Sequence, residues 1–197
     1  MNFEHLDRSL HENLRSLWRI KFALAAAGSG SSNTPSMPVR YLGLPKHAPP
    51  NLFSGSETVA QAEEALFRLS GIPLATTFFL ASIAHYEGFL QSNVTIAKNR
   101  PMLGDLQTAA EGNTGRPIGA TTKKLAKEIR VRRNLLIHHG GVANQDYATA
   151  ASDAHPISDG AVASVVLGTI VEVTPAYFTY ATKVLVDYCR QVAGLNA

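Results

Sequence analysis

Cysteine is nearly absent from this 197-residue chain: Cys189 stands alone. No intramolecular disulfide can form, and a cysteine-built zinc cage is excluded. Charge is also scarce, at 17% of residues, and its signs nearly cancel, with 18 Lys and Arg against 15 Asp and Glu. Net charge therefore does not mark a nucleic-acid binder, and any such binding has to come from local clustering. The longest apolar run, residues 71–84, is interrupted by Thr76, Thr77 and Ser82 and falls short of the roughly 20 residues a bilayer requires. Met1-Asn2-Phe3-Glu4-His5 has neither the basic start nor the apolar core of a secretory signal. The expectation is a soluble, cytoplasmic protein without membrane association. Glycine-rich phosphate loops and nucleophile elbows are missing, and His5, His11, His47, His85 and His155 are scattered without ligand spacing. No cofactor and no metal site is expected.

What is present is helical periodicity. Phe3, Leu6, Leu10, Leu17, Ile20 and Leu24 recur at steps of three and four, widened by Leu14 and Trp18 and interrupted only by Asn13. That is one amphipathic helix. The Gly/Ser run from Gly28 ends it, and prolines at 35, 38, 45, 49 and 50 exclude regular helix as far as Gly55. Residues 28–55 thus read as a loop inserted in a single domain spanning 1–197. Ser56-Glu57 opens a second helix that Gly71 closes. Pro73 opens a third, apolar on nearly every face through Phe78, Phe79, Leu80, Ile83, Tyr86, Phe89 and Leu90, as a central bundle helix would be. Residues 101–120 are weakly patterned. A basic helix follows from Thr121 or Thr122 to the stop at Gly140-Gly141, and then a polar linker. The β-branched stretches 162–167 and 170–173 flank Gly168-Thr169 and read as a small hairpin. Thr174-Pro175 begins the last helix. The predicted class is all-α, a bundle of four to five helices with the hairpin before the last.

The sharpest chemical signal lies in the basic helix. Arg133-Asn134-Leu135-Leu136-Ile137-His138 places a permanent cation, an amide and a titratable imidazole near its end. Arginine holds phosphate oxygens through paired hydrogen bonds, and histidine moves protons near neutral pH. At 3.6 residues per turn Asn134 and His138 share a face, whereas Arg133 lies about 140° round from His138. A second copy of the helix across a two-fold axis would bring the missing partner. Lys123, Lys124, Lys127, Arg130 and Arg132, opposed only by Glu128, could contact phosphates along an RNA strand. They could equally be a solvated helix face answering the macrodipole.

The motif resembles the R-x4-6-H signature of the HEPN superfamily, small helical bundles prominent in prokaryotic toxin and antiviral systems. Glu128 to Arg132 before it, His139-Gly140-Gly141-Val142 after it and the spaced Asp146-Tyr147 are similar to the RiboL-PSP-associated branch. The apolar helix around Ala84-His85-Tyr86-Glu87-Gly88-Phe89-Leu90 and the stretch Ile170 to Tyr188 extend the likeness over about 57–192. The resemblance implies a metal-independent endoribonuclease whose arginine and histidine meet at a homodimer interface. His138 would move the proton, Arg133 would stabilise charge on phosphorus, and Asn134 would orient the imidazole or a phosphate oxygen. Glu87 would support Arg133. Gly140 stands where one branch carries an adenylylated tyrosine, so that control is not implied. The resemblance further implies toxin-like or defence-linked action, with RNA and an antitoxin or defence-system protein as partners. Some family members instead serve as non-catalytic modules that bind RNA, nucleotide or protein, and in these His138 would be buried or hydrogen-bonded away from solvent.

Overall fold

The structure is a computed structural model. It describes residues 1–30 (backbone alone for 21–30), residues 58, 60, 61, 64 and 68, and residues 71–113 and 115–195. Of the helix expected from Ser56 to Gly71, residues 60, 61, 64 and 68 are described and are helical, while the rest of it and most of the 28–55 loop fall outside these residues. Among them are six α-helices: α1 (Phe3–Gly30), α2 (Ile72–Asn93), α3 (Leu103–Glu111), α4 (Ala120–His138), α5 (Gln145–Ala154) and α6 (Pro175–Val192). A 3-10 turn, His155–Ile157, extends α5. The all-α class is as the sequence implies, with two short helices more than its pattern shows.

The apolar periodicities dictate which faces are buried. Leu6, Leu10 and Leu17 of α1 are fully enclosed, each contributing about 1.5–3 kcal/mol by leaving water. They face α2 and α6, which bury Ala75, Phe79, Ile83, Tyr86, Phe89 and Leu90 from one side and Phe178, Ala181, Leu185 and Tyr188 from the other. Asn13, the interruption in the α1 stripe, donates from Nδ2 to the Oγ of buried Ser82 at 3.1 Å and so ties α1 to α2. Tyr86 and Tyr188 meet edge to face with ring centres 5.7 Å apart. The Tyr86 hydroxyl accepts from Gln107 Nε2 at 3.0 Å. Burial pushes the Cys189 thiol well above its ordinary range, so it stays protonated and unreactive within the core.

Residues 101–120 and the linker after Gly141 both contain helices the pattern did not reveal. Asp105 accepts from the Met102 N–H at 2.8 Å and starts α3. Asn144 accepts from the Tyr147 N–H at 3.0 Å and starts α5. The expected 162–173 hairpin does not form. A turn exists at Gly168, with Thr169 N–H donating to Val166 O at 3.3 Å, but its arms do not pair. Residues 168–171 pair instead with 141–143. Ala143 N–H donates to Thr169 O at 2.8 Å and Val171 N–H to Gly141 O at 2.9 Å, around one antiparallel bridge between Val142 and Ile170. The chain reversal after α4 delivers that competing partner.

The reversal depends on Gly141. Its φ is +79°, and a Cβ there would sit 3.3 Å from the Val171 carbonyl oxygen. Gly140 also has positive φ, +58°, but open space around it. Gly141→Ala is expected to lower stability by about 1–2 kcal/mol, the left-handed backbone cost, with crowding added. Gly140→Asn should cost well under 1 kcal/mol, since asparagine tolerates that conformation. Urea denaturation of the two variants checks the contrast.

Candidate active site at the end of α4

Successive residues of α4 turn about 100° around its axis. Lys123, Lys127, Arg130, Asn134 and His138 therefore fall within one sector of about 80°. Glu128 and Arg132 fall on the far side, against the core. Helix α4 packs on α5 and α6 with α3 along one edge, so the first set borders solvent and the second does not.

Asn134 Oδ1 accepts a hydrogen bond from Arg133 Nη1 at 3.0 Å. Arg133 and Asn134 line a groove of about 450 Å³ between α4 and α3, together with Glu87 and Arg130. Glu87 shares this groove with Arg133, but no ion pair joins them. His138 lines a second groove of about 460 Å³, bordered by Lys127, Arg130, Asn134 and Asp146. Arg130 and Asn134 alone belong to both among the described residues. His138 is exposed, and its imidazole takes part in no hydrogen bond or ion pair among the described residues. One chain thus brings Asn134 to both motif partners but keeps Arg133 and His138 in adjoining grooves. His139 ends the helix as its C-cap and is exposed.

The basic residues divide. Lys123 Nζ lies 3.4 Å from the Glu111 carbonyl oxygen, Lys124 is exposed, and Lys127 Nζ lies 3.7 Å from Asp153. Arg132, expected among the RNA contacts, is instead 6% exposed. Its Nε donates to Glu128 at 2.9 Å and its Nη1 to the Glu172 carbonyl at 2.8 Å, while its guanidinium lies 3.5 Å over the Tyr177 ring. It is a core residue and cannot touch a strand lying on the outer face.

Glu128 is the centre that charge counting along the helix did not reveal. It is fully buried and accepts from Arg132, from the Tyr147 hydroxyl at 2.9 Å and from the Tyr177 hydroxyl at 2.7 Å. Burial first, then the Glu128 carboxylate, push both phenols well above their usual range. Burial works against the charge on Arg132, but the Glu128 carboxylate 2.9 Å away more than offsets it and holds it protonated. The i, i+4 spacing of Glu128 and Arg132 was the available signal.

Among the described residues no three His, Cys, Asp or Glu side chains gather as a metal site, and no helix is long and apolar enough to cross a membrane. No known protein family, curated protein or solved structure matches this chain. The HEPN likeness therefore rests on the motif and the residues around it.

Proposed function

We propose that this chain is a metal-independent endoribonuclease of the HEPN type, in which the ribose 2′-OH attacks the adjacent phosphorus. The observation that supports it is the display of Arg133, Asn134 and His138 on the last two turns of α4, around open grooves, with the His138 imidazole uncommitted. A neutral imidazole takes the 2′-OH proton as the O2′–P bond forms. A protonated one gives its proton to the 5′ oxygen as the P–O5′ bond breaks. The products are a 2′,3′-cyclic phosphate and a 5′-hydroxyl. Arg133 stabilises the charge that grows on the phosphoryl oxygens, which accelerates the step only as far as that contact strengthens in the transition state. Asn134 holds the Arg133 guanidinium through Oδ1 and leaves its Nδ2 to donate to a phosphate oxygen.

Because one chain separates Arg133 from His138, the complete site is composite and the working form a homodimer. A non-catalytic module would bury His138 or engage it in a hydrogen bond, so its exposure favours the enzyme. Metal-stripped protein in EDTA should cut mixed RNA to fragments with cyclic-phosphate ends, and His138→Ala should not. Equal cutting by that variant would overturn the assignment.

A further inference from the structure

Arg130 is the one cation of α4 that is partly buried and yet forms no hydrogen bond or ion pair. Lys127 has Asp153 nearby and Arg132 has Glu128. Arg130 forms no ion pair, and its Nε is sealed from solvent with no acceptor. Its guanidinium lies against the first turn of α3, so close that a Cβ on Gly104 would stand 3.0 Å from Nη1. The carboxylate of that turn, Asp105, is already held by Lys98 at 2.6 Å and by the Met102 N–H. Glu87 and Asp146 share the two grooves but pair with neither Arg130 nor each other. A half-buried guanidinium without a counter-charge loses hydration and gains nothing for it. An anion that draws it outward frees Nε to bond and neutralises the charge, so the site favours an anion over water.

Its place indicates which anion. Arg130 sits one helical turn before Asn134, at the junction of the Arg133 and His138 grooves. We infer that Arg130 is a positioning residue that grips a backbone phosphate of single-stranded RNA next to the scissile one, so that the strand crosses α4 from one groove to the other over Arg130 and Asn134. The inference rests on the ribonuclease reading. It differs from a diffuse basic face in assigning the grip to one residue. Arg132, buried on the opposite side, takes no part.

The probe is one single-stranded RNA in two forms, unmodified and fully 2′-O-methylated, the second binding without being cut because no 2′-OH is left to attack. Arg130→Gln is expected to bind the methylated strand about tenfold more weakly, the size of one charge-assisted hydrogen bond. The slope of log affinity against log salt should flatten by about one. Its kcat/KM on unmodified RNA should fall at least as far, chiefly through KM, with Arg130→Lys recovering part. Because Arg130 loses hydration without gaining a partner, Arg130→Gln should melt no lower than the parent. If Arg130→Gln binds and cuts like the parent, the inference is wrong while the nuclease stands. If the methylated strand binds through Arg130 but the parent never cuts, the nuclease reading fails and the phosphate site survives. If the parent does not bind the strand at all, both fall.

Discussion

Truncating Glu128 to alanine is expected to lower the unfolding free energy by about 3–5 kcal/mol, the cost of breaking a buried ion pair and leaving its partner charged. For a chain of this size that is a fall in Tm of roughly 6–20 °C. The argument rests on what remains behind. Arg132 would stay 6% exposed with its Nε unsatisfied, and the hydroxyls of Tyr147 and Tyr177 would lose the oxygen they share. The two stranded phenols push the loss toward the upper end of that range unless water follows them in. Glu128→Gln should be milder, since an amide oxygen still accepts, but it leaves the guanidinium unneutralised. Removing the pair alone, as Glu128→Leu with Arg132→Met, should recover only part of the loss. Adding Tyr147→Phe and Tyr177→Phe should recover more, because the whole polar set then leaves together. Urea unfolding of this series decides the matter, and a loss under about 1 kcal/mol for Glu128→Ala would show that water reaches the carboxylate.

The network also links stability to the site. Through Glu128, Arg132 and Tyr177 it fixes the inner face of α4 on α6. Through Tyr147 it holds α5, and through the Glu172 carbonyl it holds the segment leading into α6. The outer face, with Asn134 and His138, can point in only one direction once the inner face is fixed. Arg132→Ala should therefore impair RNA cleavage without touching RNA, and its losses should track loss of folded protein.

The long helices were legible because their apolar residues are large and their periods run for several turns. Leu6, Leu10 and Leu17 in α1 and Tyr177, Ala181, Leu185 and Tyr188 in α6 land in the core where their spacing puts them. The short helices were not. Helix α5 buries mainly alanines, Ala150, Ala151 and Ala154, beside Tyr147, and small residues leave too weak an apolar signal to register over ten positions. The hairpin failed for another reason: β-branched composition reports fitness for an extended backbone and not which segment it pairs with. The Gly140-Gly141 reversal places 141–143 beside 168–171, which takes up the backbone groups a hairpin would need. The density of bases along the chain points Arg132 at a strand, but its helical phase turns it to the core. Arg133, Asn134 and His138 stand out by residue chemistry as candidates, and the angular offset between Arg133 and His138 already implied the separation that the two grooves display.

That separation has a kinetic consequence. His138→Ala is expected to slow cleavage about 10²–10⁴-fold, the range for loss of a proton-transferring group, and Arg133→Ala about 10²–10³-fold for loss of a charge-stabilising donor. Neither should shift Tm appreciably, since His138 has no partner and Arg133 bonds only to its neighbour Asn134. Mixing the two inactive variants distinguishes a site completed within one chain from one completed between two. If Arg133 of one copy works with His138 of the other, a mixed dimer holds one site lacking both groups and one site intact. Equal mixing after subunit exchange should then restore about a quarter of the parental rate, because half the dimers are mixed and each has one working site. If each chain completes its own site, no mixture recovers activity, because every site lacks one of its two groups. Recovery that rises with the time allowed for exchange would show that the two adjoining grooves of one chain become a single cleft only when a second chain faces them.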